Sequence, residues 1–291
     1  MELLVHGGAG STPEVPDERQ SVLDSAAAAG RDCETPERAV VTAVRRLEAD
    51  PRFNAGVGSV VQSDGTIRTD AGVMTGDGEV GAAGAMAGVE HAVDVARAVK
   101  AETPHVLVAG ERALSLADAV GVETDCNLWT ERTRDRWREA GPPAAAGTRD
   151  QLAWVRERFG DGDSPPPDHD TVGAVATDGE GLAAATSTGG RWFALAGRVG
   201  DVPQVGAGFF ATDNAAVSTT GDGEAIARFG LARRVALAIE DGDTPQHATD
   251  RVLRGFETET GSGAGVIAIR RDGNRGTAYN TAAMQTADSS G

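Results

Sequence analysis

The chain opens with a hydrophobic run that ends in glycines, ELLVHGGAG, which predicts a buried strand followed by a tight turn. Two helical patterns follow. Residues Ser21–Ala29 are rich in alanine, and the segment ERAVVTAVRRLEAD places its apolar residues on one helical face. Thr35 and Pro36 precede that segment as an N-cap and a first helical residue. The pattern therefore predicts a strand and then two helices.

In the next segment, SVVQSDGTIRTDAGVM, two strand-like runs flank the turn dipeptide Asp64-Gly65. The segment therefore predicts a hairpin that turns there. Three further helices are expected after it, over Val93–Ala101, Ala109–Ala119 and Arg132–Ala140.

The composition then changes. GPPAAAG, an amphipathic DQLAWVRERF and GDGDSPPPDHD follow one another, and we expect residues 141–170 to form a mobile linker. After it, TVGAVATDGEGLAAATSTGG predicts two strands, and GEAIARFGLARRVALAIED and TPQHATDRVLRGFE predict two helices. A last hairpin, AGVIAIRRDGNRGTAYNT, turns at Asp272-Gly273-Asn274. Helices grouped between hairpins favour antiparallel sheets covered by helices, without an internal repeat.

Composition narrows the class of protein. The chain has 291 residues with 40% hydrophobic and 24% charged residues, which excludes a disordered chain. No apolar stretch is long enough for a membrane span, and the first residues lack the basic region of a signal peptide. We therefore expect a cytoplasmic protein with no membrane partner. Cys33 and Cys126 support neither a disulfide framework nor a zinc site, and both are expected to be small buried residues.

The net charge is −17, from 44 acidic and 27 basic residues, and Lys100 is the only lysine. Such a surface repels nucleic acid, and no basic run is interleaved with aromatic residues. A lysine-poor acidic composition is similar to that of proteins from salt-accumulating halophiles, whose charge repulsion concentrated salt screens. The sequence therefore predicts folding and activity that require molar salt, while ordinary acidic solubility is the alternative.

Several common chemistries are absent from the sequence. The single lysine is not part of a Walker A loop, the five histidines contain no H-x-x-x-H pair, and no serine lies in G-x-S-x-G. The glycines of GSGAG precede a predicted strand, which is the reverse of a dinucleotide-binding loop. A threonine nucleophile remains, because the free amino group of an N-terminal threonine can act as its base. Thr171 begins a strand directly after the linker, although such a junction also occurs in proteins without this chemistry.

Several motifs in order make the family recognisable. The second half of the chain contains DTVGAVA at 170–176, ATSTGG at 185–190, GRVGD at 197–201, VGAG at 205–208 and TGDGE at 220–224. The first half contains HGGAG at 6–10, FNAG at 53–56, GSV at 58–60 and TDA at 69–71, and Asn280-Thr281 and Met284 follow near the end. Together they closely resemble the plant-type asparaginases and isoaspartyl peptidases, which are N-terminal-nucleophile hydrolases.

The resemblance implies a single α+β domain, a four-layer αββα sandwich that cleaves itself between Asp170 and Thr171. It implies an α subunit of residues 1–170, a β subunit of residues 171–291, and association of two αβ units. The implied substrates are small molecules, asparagine and β-aspartyl dipeptides, whose side-chain amide is cut to release aspartate. No cofactor is implied for catalysis.

The resemblance also implies roles for individual residues. Thr171 would be the nucleophile, and Thr188 would orient it, although a strand threonine such as the neighbouring Thr186 is usually only a β-former. The Thr220 hydroxyl and the Gly221 backbone N–H would form the oxyanion hole.

Substrate recognition is implied for three further residues. Arg198 would hold the substrate α-carboxylate in a bidentate fork, and Asp201 would bind the α-ammonium group. In a chain so rich in charge, a local surface ion pair is the alternative. Asn54 would line the site from the α subunit.

Members of the family bind a structural sodium ion through main-chain carbonyls, and hard cations prefer oxygen ligands. The resemblance therefore implies a sodium site at the carbonyls of the matching loop: Leu47, Glu48, Asp50, Phe53, Ala55 and Val57.

Two departures from the family pattern leave the leaving group open. Asp170 stands where many asparaginases of this type have glycine, and aspartate there also occurs in glycosylasparaginases. Arg191-Trp192-Phe193 replaces a more polar segment, where we expect arginine to pair with the carboxylate of a leaving amino acid and the aromatic rings to crowd a sugar. A glycosylasparaginase-type hydrolase and an unprocessed amino-acid-binding protein are the alternatives.

Overall fold

The computed structural model describes residues 1–143, 147–159 and 171–289. The helices in these ranges are α1 Pro16–Arg31, α2 Pro36–Glu48, α3 Ala92–Glu102, α4 Glu111–Ala119, α5 Glu131–Ala140, α6 Thr148–Phe159, α7 Gly223–Phe229, α8 Leu231–Glu240 and α9 Pro245–Thr260. The strands are β1 Glu2–Gly10, β2 Arg68–Thr75, β3 Val80–Ala87, β4 Leu107–Ala109, β5 Val172–Thr177, β6 Leu182–Thr188, β7 Phe209–Ala211, β8 Ala215–Gly221, β9 Ala264–Arg270, β10 Arg275–Tyr279 and β11 Ala283–Asp288.

The strands form two sheets. The larger has seven strands in the order β11-β1-β5-β6-β2-β3-β4, and the smaller has four in the order β10-β9-β8-β7. Neighbouring strands are antiparallel except for the β3–β4 pair. The strand β5, which begins just after Thr171, lies at the centre of the larger sheet between β1 and β6.

Three buried clusters define four layers. Helices α1 to α3 cover the outer face of the larger sheet, where alanine and valine dominate. Side chains of β1, β5 and β6 pack between the sheets against Phe209, Ile267 and Ile269. Helices α8 and α9 cover the outer face of the smaller sheet. This arrangement is the predicted four-layer αββα sandwich.

Most predicted elements are present, and local chemistry explains their limits. Thr35 caps α2 by accepting a hydrogen bond from the Arg38 N–H at 3.3 Å. The single helix predicted over GEAIARFGLARRVALAIED is two helices, because Gly230 takes a left-handed conformation (φ 69°) that ends α7 before α8 begins.

The predicted turn at Asp64-Gly65 is present, but the long hairpin ladder predicted around it is not. Only the isolated pair Val61 and Ile67 bridges there, and β2 instead pairs with β3 and β6. Val60, Val61 and Ile67 are buried against aromatic side chains, so they fill a core cluster instead of extending a strand.

Two further expectations change. Residues 148–159, inside the predicted linker, form the helix α6, while residues 144–146 and 160–170 lie outside the described part of the chain. Cys33 and Cys126 are free, as expected, but they are half-buried, whereas the sequence predicted that both are buried. In the described ranges, no helix combines the length and apolar character needed to cross a membrane.

Candidate active site

The ends of two paired strands bring two threonine hydroxyl groups together. Val172, the first residue of β5, pairs with Ser187 near the end of β6, so Thr171 and Thr188 lie at the same edge of the sheet. The Thr171 hydroxyl donates to Thr188 Oγ1 at 3.3 Å, and both residues are buried. Thr188 Oγ1 also accepts from the Gly190 N–H at 3.0 Å. Thr186 points its hydroxyl elsewhere, to the Val202 carbonyl at 3.3 Å.

This edge opens into a pocket, which is lined by Thr171, Thr188, Gly190, Arg191, Arg198, Asp201, Gly221 and Gly223. Six of the residues singled out from the sequence therefore share one cavity: Thr171, Thr188, Arg191, Arg198, Asp201 and Gly221. Asp170 lies outside the described residues, so the proposed cleavage bond is not part of this geometry.

Arg198 is held from two sides. Its Nε and Nη2 donate to Glu224 at 2.9 and 2.8 Å, which is a bidentate pair. Gln62 fixes the backbone of the same loop, donating to the Arg198 carbonyl at 3.0 Å and accepting from the Gly197 N–H at 2.8 Å. The Nη1 end of the guanidinium group takes no part in the contact with Glu224, so the fork can present this edge to a ligand.

Two buried carboxyl groups surround this arginine. Burial raises the pKa of Asp201 to about 7, although the nearby Arg198 charge opposes the shift. Burial likewise raises the pKa of Asp70 to about 6, against a hydrogen bond from the Ala85 N–H at 2.7 Å and the charge of Arg198. Asp201 Oδ2 is buried and has no hydrogen-bond partner among the described residues. A cationic ligand group would meet this need.

Glu224 behaves in the opposite way. Burial alone would raise its carboxyl pKa, but the hydrogen bonds from Arg198 outweigh this and hold the pKa of Glu224 below its usual value. Its contact with Arg198 depends on Gly223, because a β-carbon at Gly223 would lie 2.5 Å from Asp201 Oδ1 and 2.8 Å from Arg198 Nη2. Glycine at this position allows the acidic and basic groups to meet.

Thr220 and Gly221 lie at the end of β8, directly before Asp222, which caps α7 by accepting from the Glu224 and Ala225 N–H groups. Gly221 lines the pocket, whereas Thr220 is fully buried beside it. Thr220 Oγ1 accepts a hydrogen bond from the Ala9 N–H at 3.3 Å, so its own hydroxyl hydrogen is available for a second bond.

Asn54 supports the site from behind and does not line the pocket. Its Nδ2 donates to the Gly190 carbonyl at 2.7 Å, its Oδ1 accepts from the Val60 N–H at 3.0 Å, and its carbonyl accepts from Gly189 at 2.9 Å. It therefore fixes the Gly189-Gly190 turn beside Thr188.

Main-chain carbonyls converge within the loop that follows α2. A β-carbon at Gly56, where φ is 51°, would collide with the Glu48 carbonyl oxygen and lie 2.8 Å from that of Glu90. One at Gly58 would collide with the Phe53 carbonyl oxygen. Of the other candidate ligands, the carbonyls of Leu47, Asp50 and Ala55 each accept a hydrogen bond from within the loop. The donors available are thus main-chain oxygens, and no group of three His, Cys, Asp or Glu side chains in the described ranges could hold a metal ion.

The side chain of Glu48 points away from this loop. It is fully buried, accepts from the Ser187 hydroxyl at 2.6 Å and the Val93 N–H at 3.0 Å, and lies 3.4 Å from His91 Nδ1. It therefore connects the residue next to Thr188 with the first turn of α3.

Arg191, Trp192 and Phe193 separate into two environments. Arg191 lines the pocket, but Trp192 and Phe193 do not, which corrects the expectation that aromatic rings flank a leaving group. Both rings are buried in a cluster with Trp129, Trp137 and Trp154, and we call these five residues the aromatic cluster. The sequence did not distinguish these directions.

His6 is a buried group next to the site. Its Nε2 lies 2.7 Å from Ser218 Oγ, and burial lowers the pKa of His6 to about 3, against a raising contribution from the Thr171 backbone. The imidazole is therefore neutral and links the two sheets below the nucleophile candidate.

Two polar residues near the site, Asp70 and Glu224, had no role assigned from the sequence, and Glu48 had one only for its main-chain carbonyl. Asp70 and Glu224 lie within the quoted motifs TDA and TGDGE, so the motifs already marked both positions as candidate site residues. The hydrogen bonds between Arg198 and Glu224, and the position of Asp70 near that arginine, depend on contacts between distant segments, which spacing does not reveal.

Comparison with known proteins identifies the family of the chain. The family model described as asparaginase matches residues 1–291. A plant-type L-asparaginase of Pyrobaculum calidifontis is 40% identical over 97% of this chain and 94% of its own length. A plant-type L-asparaginase of Pyrococcus abyssi is 35% identical over 99% and 95%. An isoaspartyl peptidase of Escherichia coli is 37% identical over 98% and 91%. These matches confirm the resemblance seen in the motifs, and the chain belongs to the asparaginase family of hydrolases.

Proposed function

We propose that this chain hydrolyses the side-chain amide of asparagine and of β-aspartyl peptides, with Thr171 as an N-terminal nucleophile freed by cleavage after Asp170. The observation that carries the proposal is the 3.3 Å contact between the Thr171 and Thr188 hydroxyl groups in a pocket that also contains Arg198 and Asp201. The names of the relatives, L-asparaginase and isoaspartyl peptidase, support the substrate class.

The chemistry requires the cut. Once Thr171 is N-terminal, its amino group has a pKa near 8 and can accept the hydroxyl proton near neutral pH. The hydroxyl oxygen then attacks the side-chain carbonyl carbon of the aspartyl group. When the C–N bond breaks, the proton passes to the departing amine. Water next attacks the acyl-threonine ester, which releases aspartate and restores the hydroxyl group.

Recognition of the aspartyl group follows from the charges that face the pocket. The free edge of Arg198 suits an α-carboxylate, because a guanidinium group binds it in a planar fork. Asp201 in its ionised form suits an α-ammonium group, which would satisfy the buried Oδ2. The Gly221 N–H and the free hydroxyl hydrogen of Thr220 would stabilise the developing oxyanion, and one such donor contributes about 2.7–4 kcal/mol to a barrier.

We also propose a structural sodium ion in the loop after α2. The main-chain carbonyls that converge beside Gly56 and Gly58 fit a hard monovalent cation, because they supply oxygen atoms without charge. Glu48 and Phe53 would hold it together with Leu47, Asp50, Ala55 and Val57. Such an ion would supply no step of the reaction. It would stabilise a loop whose neighbour Asn54 fixes the turn beside Thr188.

Mass spectrometry of the purified chain tests the proposal. We expect two chains separated between Asp170 and Thr171, and a single uncut chain in Thr171→Ala. Thr171→Ser, which keeps a hydroxyl group, should retain cleavage. Thr75→Ala is a matched control, because Thr75 lies at the end of β2 away from the Asp70–Thr188 pair and should be cut normally.

Aspartate release from asparagine and β-aspartyl-leucine should accompany maturation. An uncut chain that binds asparagine without turnover would instead establish the amino-acid-binding alternative. Faster release from N-acetylglucosaminyl-asparagine would establish the glycosylasparaginase alternative.

A further inference from the structure

Arg191 is a second arginine at the pocket, and the aspartyl group does not need it. It lines the same cavity as Thr171, Thr188 and Arg198, and its side chain is only 21% exposed. Arg191 Nε is buried and donates no hydrogen bond to any residue in the described ranges. A buried guanidinium donor without an acceptor is costly, which indicates that an acceptor arrives with a ligand.

The carboxylate nearest to Arg191 is already engaged. Glu224 Oε2 accepts from Arg198 Nη2 at 2.8 Å, whereas it lies 4.0 Å from Arg191 Nη1, beyond hydrogen-bond distance. Two arginines therefore face the pocket, and the one carboxylate between them is hydrogen-bonded to Arg198 and forms only a long ion pair with Arg191. Arg191 has positive charge and several donors left for an incoming anion.

The orientation of Arg191 is fixed by packing. Its guanidinium group lies over the Phe159 ring at 4.4 Å from the ring centre, at the end of α6. A guanidinium group that lies over an aromatic ring can still donate from the N–H groups at its edge, and such a group is well prepared to bind a planar carboxylate. Arg191 is thus held in place by an aromatic ring and lacks only the anion.

The chemistry of the substrates identifies that anion. Asparagine has one carboxylate, which the proposed function assigns to Arg198. A β-aspartyl dipeptide has two, one on each side of the amide that is cut, and the second belongs to the leaving amino acid. Both guanidinium groups lie within 4.0 Å of the same Glu224 oxygen, so the two positive charges are close enough for one small substrate to reach both.

We propose that Arg191 binds the carboxylate of the leaving amino acid and thereby makes this chain selective for β-aspartyl dipeptides over substrates whose leaving group has no carboxylate. This inference rests on the proposed function, because it assigns the leaving-group side of the same pocket. It makes Arg191 a specificity-determining residue that contacts the substrate away from the bond that is cut.

The test compares substrates that differ only in that carboxylate. We measure kcat/KM of the matured wild-type enzyme for β-aspartyl-leucine and for β-aspartyl-leucinamide, in which a neutral amide replaces the carboxylate. Hydrogen bonds to charged groups predict a preference of about 10- to 100-fold for the acid. Arg191→Gln should reduce this ratio toward one, and Arg191→Lys, which keeps the charge without the fork, should give an intermediate ratio.

Arg233→Gln is the matched control. Arg233 stacks on Phe210 at 5.5 Å and is absent from the pocket lining, so its loss changes the net charge equally and should leave the ratio unchanged. Equal wild-type rates on the acid and the amide would overturn the inference, and they require no variant to fold. A ratio that Arg191→Gln leaves intact would overturn it as well. A matured enzyme that hydrolyses none of these substrates would instead contradict the proposed function.

Discussion

The pocket and the aromatic cluster share the segment Arg191–Phe193, but Arg198 in the pocket has a different environment from the arginines at the cluster. In the pocket, Arg198 forms a bidentate pair with the Glu224 carboxylate. In the cluster, Arg136 stacks over Trp192 and Arg158 over Phe193, each at 4.6 Å from the ring centre. The Arg198 guanidinium group thus lies against a carboxylate, whereas those of Arg136 and Arg158 lie over aromatic rings.

The two regions also differ in how burial affects the stability of the fold. Buried carboxyl groups with raised pKa values, such as Asp201 and Asp70, make the pocket a place where ionisation opposes folding. The cluster buries large rings in contact with one another, which favours folding directly. We therefore expect substitutions in the cluster to change stability and substitutions in the pocket to change activity.

The largest effect is expected in the cluster, from Phe193→Ala. Phe193 is buried and contacts Trp137, Trp154 and Trp192 at ring-centre distances of 5.5 to 6.3 Å. Losing a buried Phe ring typically lowers the free energy of unfolding by about 3–5 kcal/mol. Urea unfolding should be measured in the uncut Thr171→Ala background, so that one continuous chain unfolds.

Tryptophan fluorescence is a local probe for this experiment, because all four tryptophans of the chain belong to the cluster. Phe193→Leu should destabilise less, since it keeps most of the volume. In the otherwise wild-type chain, kcat/KM of the folded, matured Phe193→Ala enzyme for asparagine, whose hydrolysis does not need Arg191, should stay within about threefold of wild type, because Phe193 does not line the pocket. An unchanged unfolding midpoint, or a large loss of kcat/KM, would remove the distinction between the two regions.

The fold was largely predictable because its strands and helices follow local patterns. Thr35-Pro36 starts α2 as expected, and the final hairpin turns at Asp272-Gly273-Asn274 between β9 and β10. The strands β3, β4, β7, β8 and β11 were not predicted. In β3, for example, VGAAGAMA is made mostly of small residues and has no alternation between polar and apolar positions. The turn at Asp64-Gly65 forms as predicted, but no long hairpin extends from it, because Val60 and Val61 pack against the aromatic cluster.

For the site, the motifs predicted which residues take part but not how these residues contact one another. Motif resemblance identified Thr171, Thr188, Arg198, Asp201 and Gly221, which the fold brings to one pocket. It did not reveal that Glu224 holds Arg198, because that contact depends on where α7 lies relative to the loop after β6. Nor did it separate Arg191 from Trp192 and Phe193, since neighbouring residues in a loop have no fixed alternation of direction.

An intermediate effect is expected in the pocket, from Arg198→Lys. Lysine keeps the charge but cannot form the bidentate contact with Glu224 and a ligand carboxylate together, so kcat/KM should fall by about 100-fold. Arg251→Lys is the matched control, because Arg251 also donates twice to a carboxylate, that of Asp243, on the exposed surface. Asparagine hydrolysis should be measured for both matured variants. Similar small losses in the two would mean that the fork of Arg198 has no special part in recognition.

The smallest effect is a gain of stability from Asp201→Asn. Burial raises the pKa of Asp201 to about 7 in the folded chain, from an ordinary 3.8. Between these values the folded chain binds more protons than the unfolded chain, so this group lowers the free energy of unfolding as the pH rises. Asparagine does not ionise, and the uncut Thr171→Ala chain with Asp201→Asn should therefore be more stable by about 1–2 kcal/mol at about pH 8, and by less at about pH 5.

Activity of the otherwise wild-type Asp201→Asn enzyme should fall at the same time, because the amide cannot balance an ammonium charge. If Asp201→Asn is instead less stable at the higher pH, the ionised Asp201 carboxylate stabilises the fold. Buried groups would then favour folding in the pocket as they do in the aromatic cluster.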